Sequence, residues 1–181
     1  VGSIAHILFS SSTQEMYDNP YGRSKKEGRE ILKAWAEKSG AKFTGFVIPN
    51  VFGPFGHPYY NSVVATFCYQ LTRNETPRID VDGEIKLIYV GELVNETIHH
   101  IDAMQKEPNN SIIDWVPIQH TSQIKVSSLL QKLSEYKESY FEKGIIPNLD
   151  NHFERDIFNT FLYYIDHYSF IPYKLKINTD E

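Results

Sequence analysis

Three side chains near the start of the chain carry the groups needed to move a proton at an oxygen: Ser12, Tyr21 and Lys25. They lie in the stretches Phe9-Ser10-Ser11-Ser12-Thr13-Gln14 and Asn19-Pro20-Tyr21-Gly22-Arg23-Ser24-Lys25. A spacing of four puts Tyr21 and Lys25 on one face of a helix. A tyrosine hydroxyl ordinarily titrates near 10, so acid–base work at neutrality calls for a shift of roughly 3 units, or about 4 kcal/mol. An ammonium about 5 Å away, at an effective dielectric near 20, supplies roughly 3 kcal/mol of that. Ser12, at a strand end, is placed to hold the substrate oxygen by a hydrogen bond. Such a set suits proton transfer to or from a substrate oxygen. Alone, Tyr-x-x-x-Lys is a common helical pair. The serine cluster, the short spacing and the context Pro-Tyr-Gly-x-Ser-Lys together are not explained by a solvated helix face beside a polar turn. Tyr17 has no lysine at the same spacing and is not the acid.

These groups need a strand and a helix to position them. Ala5 to Phe9 reads as a buried parallel strand and Ser10 to Asn19 as a polar loop. Pro20 suits the first turn of a helix running to about Lys38, and Gly40 stands where a C-cap belongs. Ile31, Leu32 and Trp35 form an apolar stripe on that helix, and Gly28 suggests close approach to another backbone. Lys42 to Ile48 is a second buried strand, stopped by Pro49-Asn50. A Gly, Pro and aromatic loop covers Gly53 to Tyr60, and Ser62 to Arg73 is helical. Ile85 to Val90 is a strand, Glu92 to Gln105 a helix, and Asn110 to Val116 extended. Ser127 is read as the cap of a helix to about Tyr140. Asn151 to Tyr168 is helical, with an extended tail. Alternating strands and helices indicate an α/β fold with a parallel sheet.

Composition narrows the classes of function. The 181 residues are 41% hydrophobic and 23% charged, with net charge -5, so a folded domain is expected and no basic field for nucleic acid or an anionic membrane. Cys68 is the single cysteine, leaving neither a disulfide framework nor a cysteine metal site. No apolar run approaches the roughly 20 residues of a membrane span. A start at Val1 and the lack of a signal peptide lead us to expect a cytoplasmic piece whose N-terminus lies elsewhere.

The Ser/Tyr/Lys set resembles the extended branch of the short-chain dehydrogenase/reductases, the NAD-dependent epimerase/dehydratase family. Ile48-Pro49-Asn50-Val51-Phe52-Gly53-Pro54 is similar to that family's segment after the next strand. Tyr59-Tyr60-Asn61-Ser62-Val63-Val64-Ala65-Thr66-Phe67-Cys68-Tyr69, with Arg73-Asn74-Glu75, and Pro147 to Asp156 look like the bacterial capsule reductases of UDP-2-acetamido-2,6-dideoxy-hexuloses, in which a cupin domain follows. The resemblance implies an N-terminally truncated fragment. It would hold the catalytic second half of a Rossmann-like domain (1–50), then mostly a substrate-binding lobe (51–181) with returning Rossmann elements at about 85–105. The implied reaction is NAD(P)H-dependent reduction of a 4-keto UDP-6-deoxy-N-acetylaminosugar, with NADPH favoured. The implied roles are Ser12, Tyr21 and Lys25 in catalysis, and Ser10, Ser11, Tyr21, Lys25, Ile48 and Pro49 at the cofactor. Ser12, Thr13, Asn50, Asn61 and Arg73 would meet the substrate. Implied partners are the UDP-sugar, a second copy through the Tyr/Lys helix, the missing N-terminal half and a C-terminal cupin.

Three departures qualify the match. The glycine-rich dinucleotide fingerprint is absent. Ile85-Lys86-Leu87-Ile88-Tyr89-Val90-Gly91-Glu92 lacks the arginine many relatives place before this strand and the paired aspartates after it; Arg73 or Arg78 are the candidates to replace that arginine. No cupin follows before Glu181. Two other readings remain open. One is a 4-epimerase or 4,6-dehydratase, although Thr13-Gln14 stand where a dehydratase has an acidic pair. The other is a non-catalytic dimerisation fragment. His99-His100 point in different directions on a helix, so no metal site is expected there, and His57 is read as a loop residue near the pocket.

Overall fold

The structure, a computed structural model, describes residues 5–167. In chain order the elements are β1 (His6–Ser12), a 3₁₀ turn (Thr13–Met16), α1 (Pro20–Ser39), β2 (Lys42–Ile48), β3 (Asn50–Phe52) and α2 (Val63–Thr72). They continue with β4 (Glu84–Tyr89), α3 (Val90–Gln105), β5 (Ile112–Pro117), β6 (Ser122–Lys125), α4 (Val126–Tyr136), a π-helical turn (Lys137–Glu142) and α5 (His152–Tyr164). The described chain divides into two units, 5–51 with 91–121, and 52–90 with 122–167.

The first unit is built on a parallel sheet in the order β1-β2-β5. The central strand β2 buries Phe43, Thr44, Phe46 and Val47, as a parallel strand covered on both faces should. β1 and β2 run in step from His6↔Lys42 to Ser12↔Ile48, so both reach their carboxyl ends together. Here the structure departs from the sequence reading: Ser10, Ser11 and Ser12 complete β1 and do not open the loop. Parallel pairing with β2 supplies the backbone hydrogen bonds that outweigh the turn preference of serine.

α1 has both expected ends. The Asn19 side chain accepts from Gly22 N at 2.7 Å, Pro20 follows it, and Gly40 closes the helix at φ 72°. Its packing differs from the expected stripe. The buried residues are Gly22, Arg29 and Ala36, seven apart, while Ile31 and Trp35 stay exposed. Gly28 meets the Phe9 ring, 3.3 Å from where a Cβ would sit, and not a backbone. The backbone approach occurs at Gly22, whose Cβ would collide with the carbonyl oxygens of Gln14 and Tyr17.

The second unit pairs β4 with β6 antiparallel, Glu84↔Lys125 to Leu87↔Ser122. Its core joins Phe67, Cys68 and Leu71 of α2, Leu129 and Leu133 of α4, and Ile157 and Phe161 of α5. Burial pushes the Cys68 thiol well above its usual value. Ser127 does not cap α4; Lys125 holds that position without a side-chain bond. The Asp82 carboxylate instead accepts from Ser127 N and Ser127 Oγ, both at 2.8 Å, supplying the first turn from a distant segment. α5 is capped by Asn151 and ends at Tyr164, short of the expected Tyr168. The expected extended tail lies outside the described residues. No described helix is long and apolar enough to cross a membrane.

Candidate active site

Ser12 and Ile48 sit side by side at the carboxyl ends of β1 and β2, the edge where open α/β sheets take ligands. The Ser12 Oγ accepts from Gln14 N at 3.2 Å and starts the 3₁₀ turn that holds Thr13. Tyr21 and Lys25 lie one turn apart at the start of α1. Lys25 Nζ donates to the Ser10 carbonyl at 3.0 Å and stands 5.7 Å from the Tyr21 ring centre and 5.6 Å from that of Phe9. One ammonium therefore ties the helix to the strand end and keeps a positive charge beside the tyrosine. Tyr21 is 41% exposed, open to a ligand. Pro49 and Asn50 follow Ile48 directly, with Asn50 opening β3.

Beneath this surface lies a charged network with no counterpart in the sequence reading. The Arg29 guanidinium, 8% exposed, donates through Nε at 3.1 Å and Nη2 at 2.9 Å to the Glu15 carboxylate, itself 2% exposed. Nη1 reaches Asp114 at 2.6 Å, and Lys33 holds the other Asp114 oxygen at 3.1 Å. Ser11 Oγ donates to Glu15. Hydrogen bonding to Glu15 raises the Arg29 pKa. Burial pushes the Glu15 carboxyl up, but the bonds from Arg29 and Ser11 outweigh it and leave the group below its usual value. Asp114 follows the same balance through Arg29 and Lys33. The available signal for these residues was Arg29 itself, in the seven-residue stripe with Gly22 and Ala36.

Of the residues singled out from the sequence, Ser10, Ser11, Ser12, Thr13, Tyr21, Lys25, Ile48, Pro49 and Asn50 belong to the first unit. Asn61 and Arg73 belong to the second. Asn61 adopts φ 53° in a loop where Phe55 and Tyr59 also have positive φ, backbone strain of the kind that collects at functional sites. Arg73 is engaged within its own unit, donating to the Tyr164 carbonyl at 3.3 Å and stacking 3.7 Å from the Tyr69 ring centre. Arg78 is exposed and paired with Asp80. His100 packs edge-on against Phe46, and His57 Nδ1 lies 2.7 Å from the Pro58 carbonyl oxygen in an exposed loop. Among the described residues no cluster suits a metal ion.

The first unit thus carries Ser12 at the carboxyl end of a parallel strand, and Tyr21 and Lys25 at the start of the helix that follows it. The chain belongs to the NAD dependent epimerase/dehydratase family, whose pattern matches residues 6–114. It is 31% identical over 181 residues to a UDP-2-acetamido-2,6-beta-L-arabino-hexul-4-ose reductase of Pseudomonas aeruginosa, covering 99% of this chain and 46% of that protein. The capsular polysaccharide assembling protein CapF of Staphylococcus aureus superposes with a TM-score of 0.76 at 34% identity, over 91% of this chain and 45% of the other. The Bordetella bronchiseptica enzyme WbmF in complex with NAD+ and UDP superposes with a TM-score of 0.66 at 14% identity, over 93% and 61%, a likeness of fold. The chain spans about half the length of the reductase and of CapF.

Proposed function

We propose that this chain is the catalytic part of a sugar-nucleotide reductase that reduces a 4-keto UDP-6-deoxy-N-acetylaminosugar in surface-polysaccharide synthesis. The observation that carries the reading is Lys25, bonded to the Ser10 carbonyl and standing beside the Tyr21 ring at the end of β1. Family membership and the named activity of the Pseudomonas relative support it.

In this reading the residues present fit the nicotinamide end of a dinucleotide. Lys25, Tyr21, Ser10, Ile48 and Pro49 line the strand ends where it would rest, with Ser11 supporting them from within. The chain carries no glycine-rich fingerprint, and the contribution proposed here is to the nicotinamide end. When bound, a reduced nicotinamide supplies a hydride for the sugar carbonyl carbon. Ser12 holds the carbonyl oxygen, Tyr21 gives it a proton, and Lys25 steadies the phenolate left behind. Ser12 must rotate its hydroxyl to do so, and its acceptor bond from Gln14 leaves the proton free to point outward. Thr13 and Asn50, with Asn61 and Arg73, are assigned to the sugar nucleotide, and NADPH to the cofactor role. The exposed Ile31 and Trp35 on α1 are assigned to contact with a second copy.

The full-length protein should oxidise NADPH when given the 4-keto sugar nucleotide, followed by absorbance at 340 nm, and produce the 4-hydroxy sugar. No NADPH oxidation with the 4-keto sugar, together with C4 epimerisation or 4,6-dehydration of a 4-hydroxy UDP-sugar without net cofactor consumption, would overturn the reading in favour of the epimerase or dehydratase.

A further inference from the structure

We propose that Arg29 is a positioning residue, which through Glu15 and Asp114 holds the turn bearing Ser12 in one geometry relative to Tyr21 and Lys25. The proposal rests on the roles given above to those three side chains.

Ser12 leads into the turn Thr13–Met16, of which no residue is buried as a whole. Apolar packing therefore does not fix it. The part that goes inside is the Glu15 carboxylate, and its partners are directional. A guanidinium is a rigid planar fork whose donors fix orientation as well as distance. Here Nε and Nη2 face Glu15 while Nη1 faces Asp114. Glu15 in turn accepts from the hydroxyl of Ser11, the residue before Ser12. A continuous line of bonds thus runs from α1 through Arg29 and Glu15 to the serine cluster. Lys25, one turn earlier on α1, makes the second tie at Ser10.

The surrounding fold is shaped to admit this network. The β2–β5 pairing passes from Thr44↔Ile113 to Phe46↔Val116, so Asp114 and Trp115 together stand opposite Gly45. Such a bulge re-aims a side chain, and it brings Asp114 to Arg29 and Lys33. Gly45 leaves room for the stem of Arg29, whose Cδ would be 3.0 Å from a Cβ there. The indole of Trp115 lies 5.1 Å from the guanidinium carbon. Two carboxylates and two cations balance in charge. Burying such groups is a weak source of stability, because the desolvation of each ion offsets most of the attraction, while the fixed geometry remains. The network is therefore best accounted for by what it orients.

The test compares Glu15→Gln, Arg29→Met and Arg29→Lys in the full-length protein. Glu15→Gln and Arg29→Met should lower kcat at least tenfold per folded molecule, with KM for the sugar nucleotide changed less than threefold. Arg29→Lys, which keeps the charge and loses the fork, should fall between them and the unmodified protein. Amide exchange over residues 10–16, measured without ligand, should speed up at least tenfold in Glu15→Gln. That variant preserves shape and carries the test if Arg29→Met does not fold. Unchanged kcat in folded variants, or unchanged exchange at the turn, would overturn the proposal. Tyr21→Phe separates the two claims. If it retains turnover the catalytic roles fail; if it loses turnover while the Glu15 and Arg29 variants keep theirs, the positioning role alone fails. A protein without activity on the keto sugar still answers through the exchange rates.

Discussion

At the scale of residues, acid catalysis by a phenol needs something to hold the anion left when the proton departs. The Lys25 ammonium stands 5.7 Å from the Tyr21 ring centre with its position set by the Ser10 carbonyl. Replacing Tyr21 by Phe removes the proton and leaves the ring. Turnover should fall roughly 10²–10⁴-fold, while the dissociation constant of the sugar nucleotide, measured by calorimetry, stays within about twofold. The buried carboxylates answer to pH. Glu15 and Asp114 lie below their usual values in the folded chain. Their ion pairs therefore stabilise the fold above the unfolded carboxylate range near 4, and that contribution disappears as the pH falls through the lower folded values. Urea unfolding between about pH 5 and 2.5 should show a shallower loss of stability in Glu15→Gln than in the unmodified protein; parallel curves would contradict the assignment.

At the scale of elements, the start of α1 is fixed by its contact with the turn before it. A Cβ at Gly22 would overlap the carbonyl oxygens of Gln14 and Tyr17, which are backbone and cannot swing aside. Gly22→Ala should cost at least about 1–3 kcal/mol and displace Tyr21, read as a lower denaturation midpoint together with reduced turnover. In the second unit Phe161 is fully buried among α2, α4 and α5, and Phe161→Ala should cost about 3–5 kcal/mol by chemical denaturation. The limits of α1 and β2 were legible because Pro20, Gly40 and Pro49 are local signals with local causes; the Asn19 cap was read only in the structure. The short strands β3 and β6 were not, since three or four residues carry no usable period and form only where a partner strand is already present. The Arg29 network was hidden for the same reason. Arg29, Glu15 and Asp114 lie far apart in sequence, and only the β5 bulge brings the last of them to the first. Ser127 illustrates the complementary error: a serine at the right place for a cap is bypassed when Asp82 arrives from another segment.

At the scale of the whole molecule, the exposed Ile31 and Trp35 on α1 fit a contact with a second copy, because large apolar side chains on one helix face are costly to leave in water. Charging that face with Trp35→Glu should convert a dimer to a monomer in sedimentation velocity, and a monomeric unmodified protein would refute the assignment. The central claim is that this chain delivers a proton from Tyr21 to the oxygen of a sugar C4 carbonyl as that carbon is reduced. The most direct measurement is product analysis by NMR and mass spectrometry after turnover of the full-length protein with NADPH deuterated at the transferred position. One deuterium at C4 of the product, formed by the unmodified protein and not by Tyr21→Phe, is the predicted result. Deuterium at another carbon, or equal product from Tyr21→Phe, would contradict it.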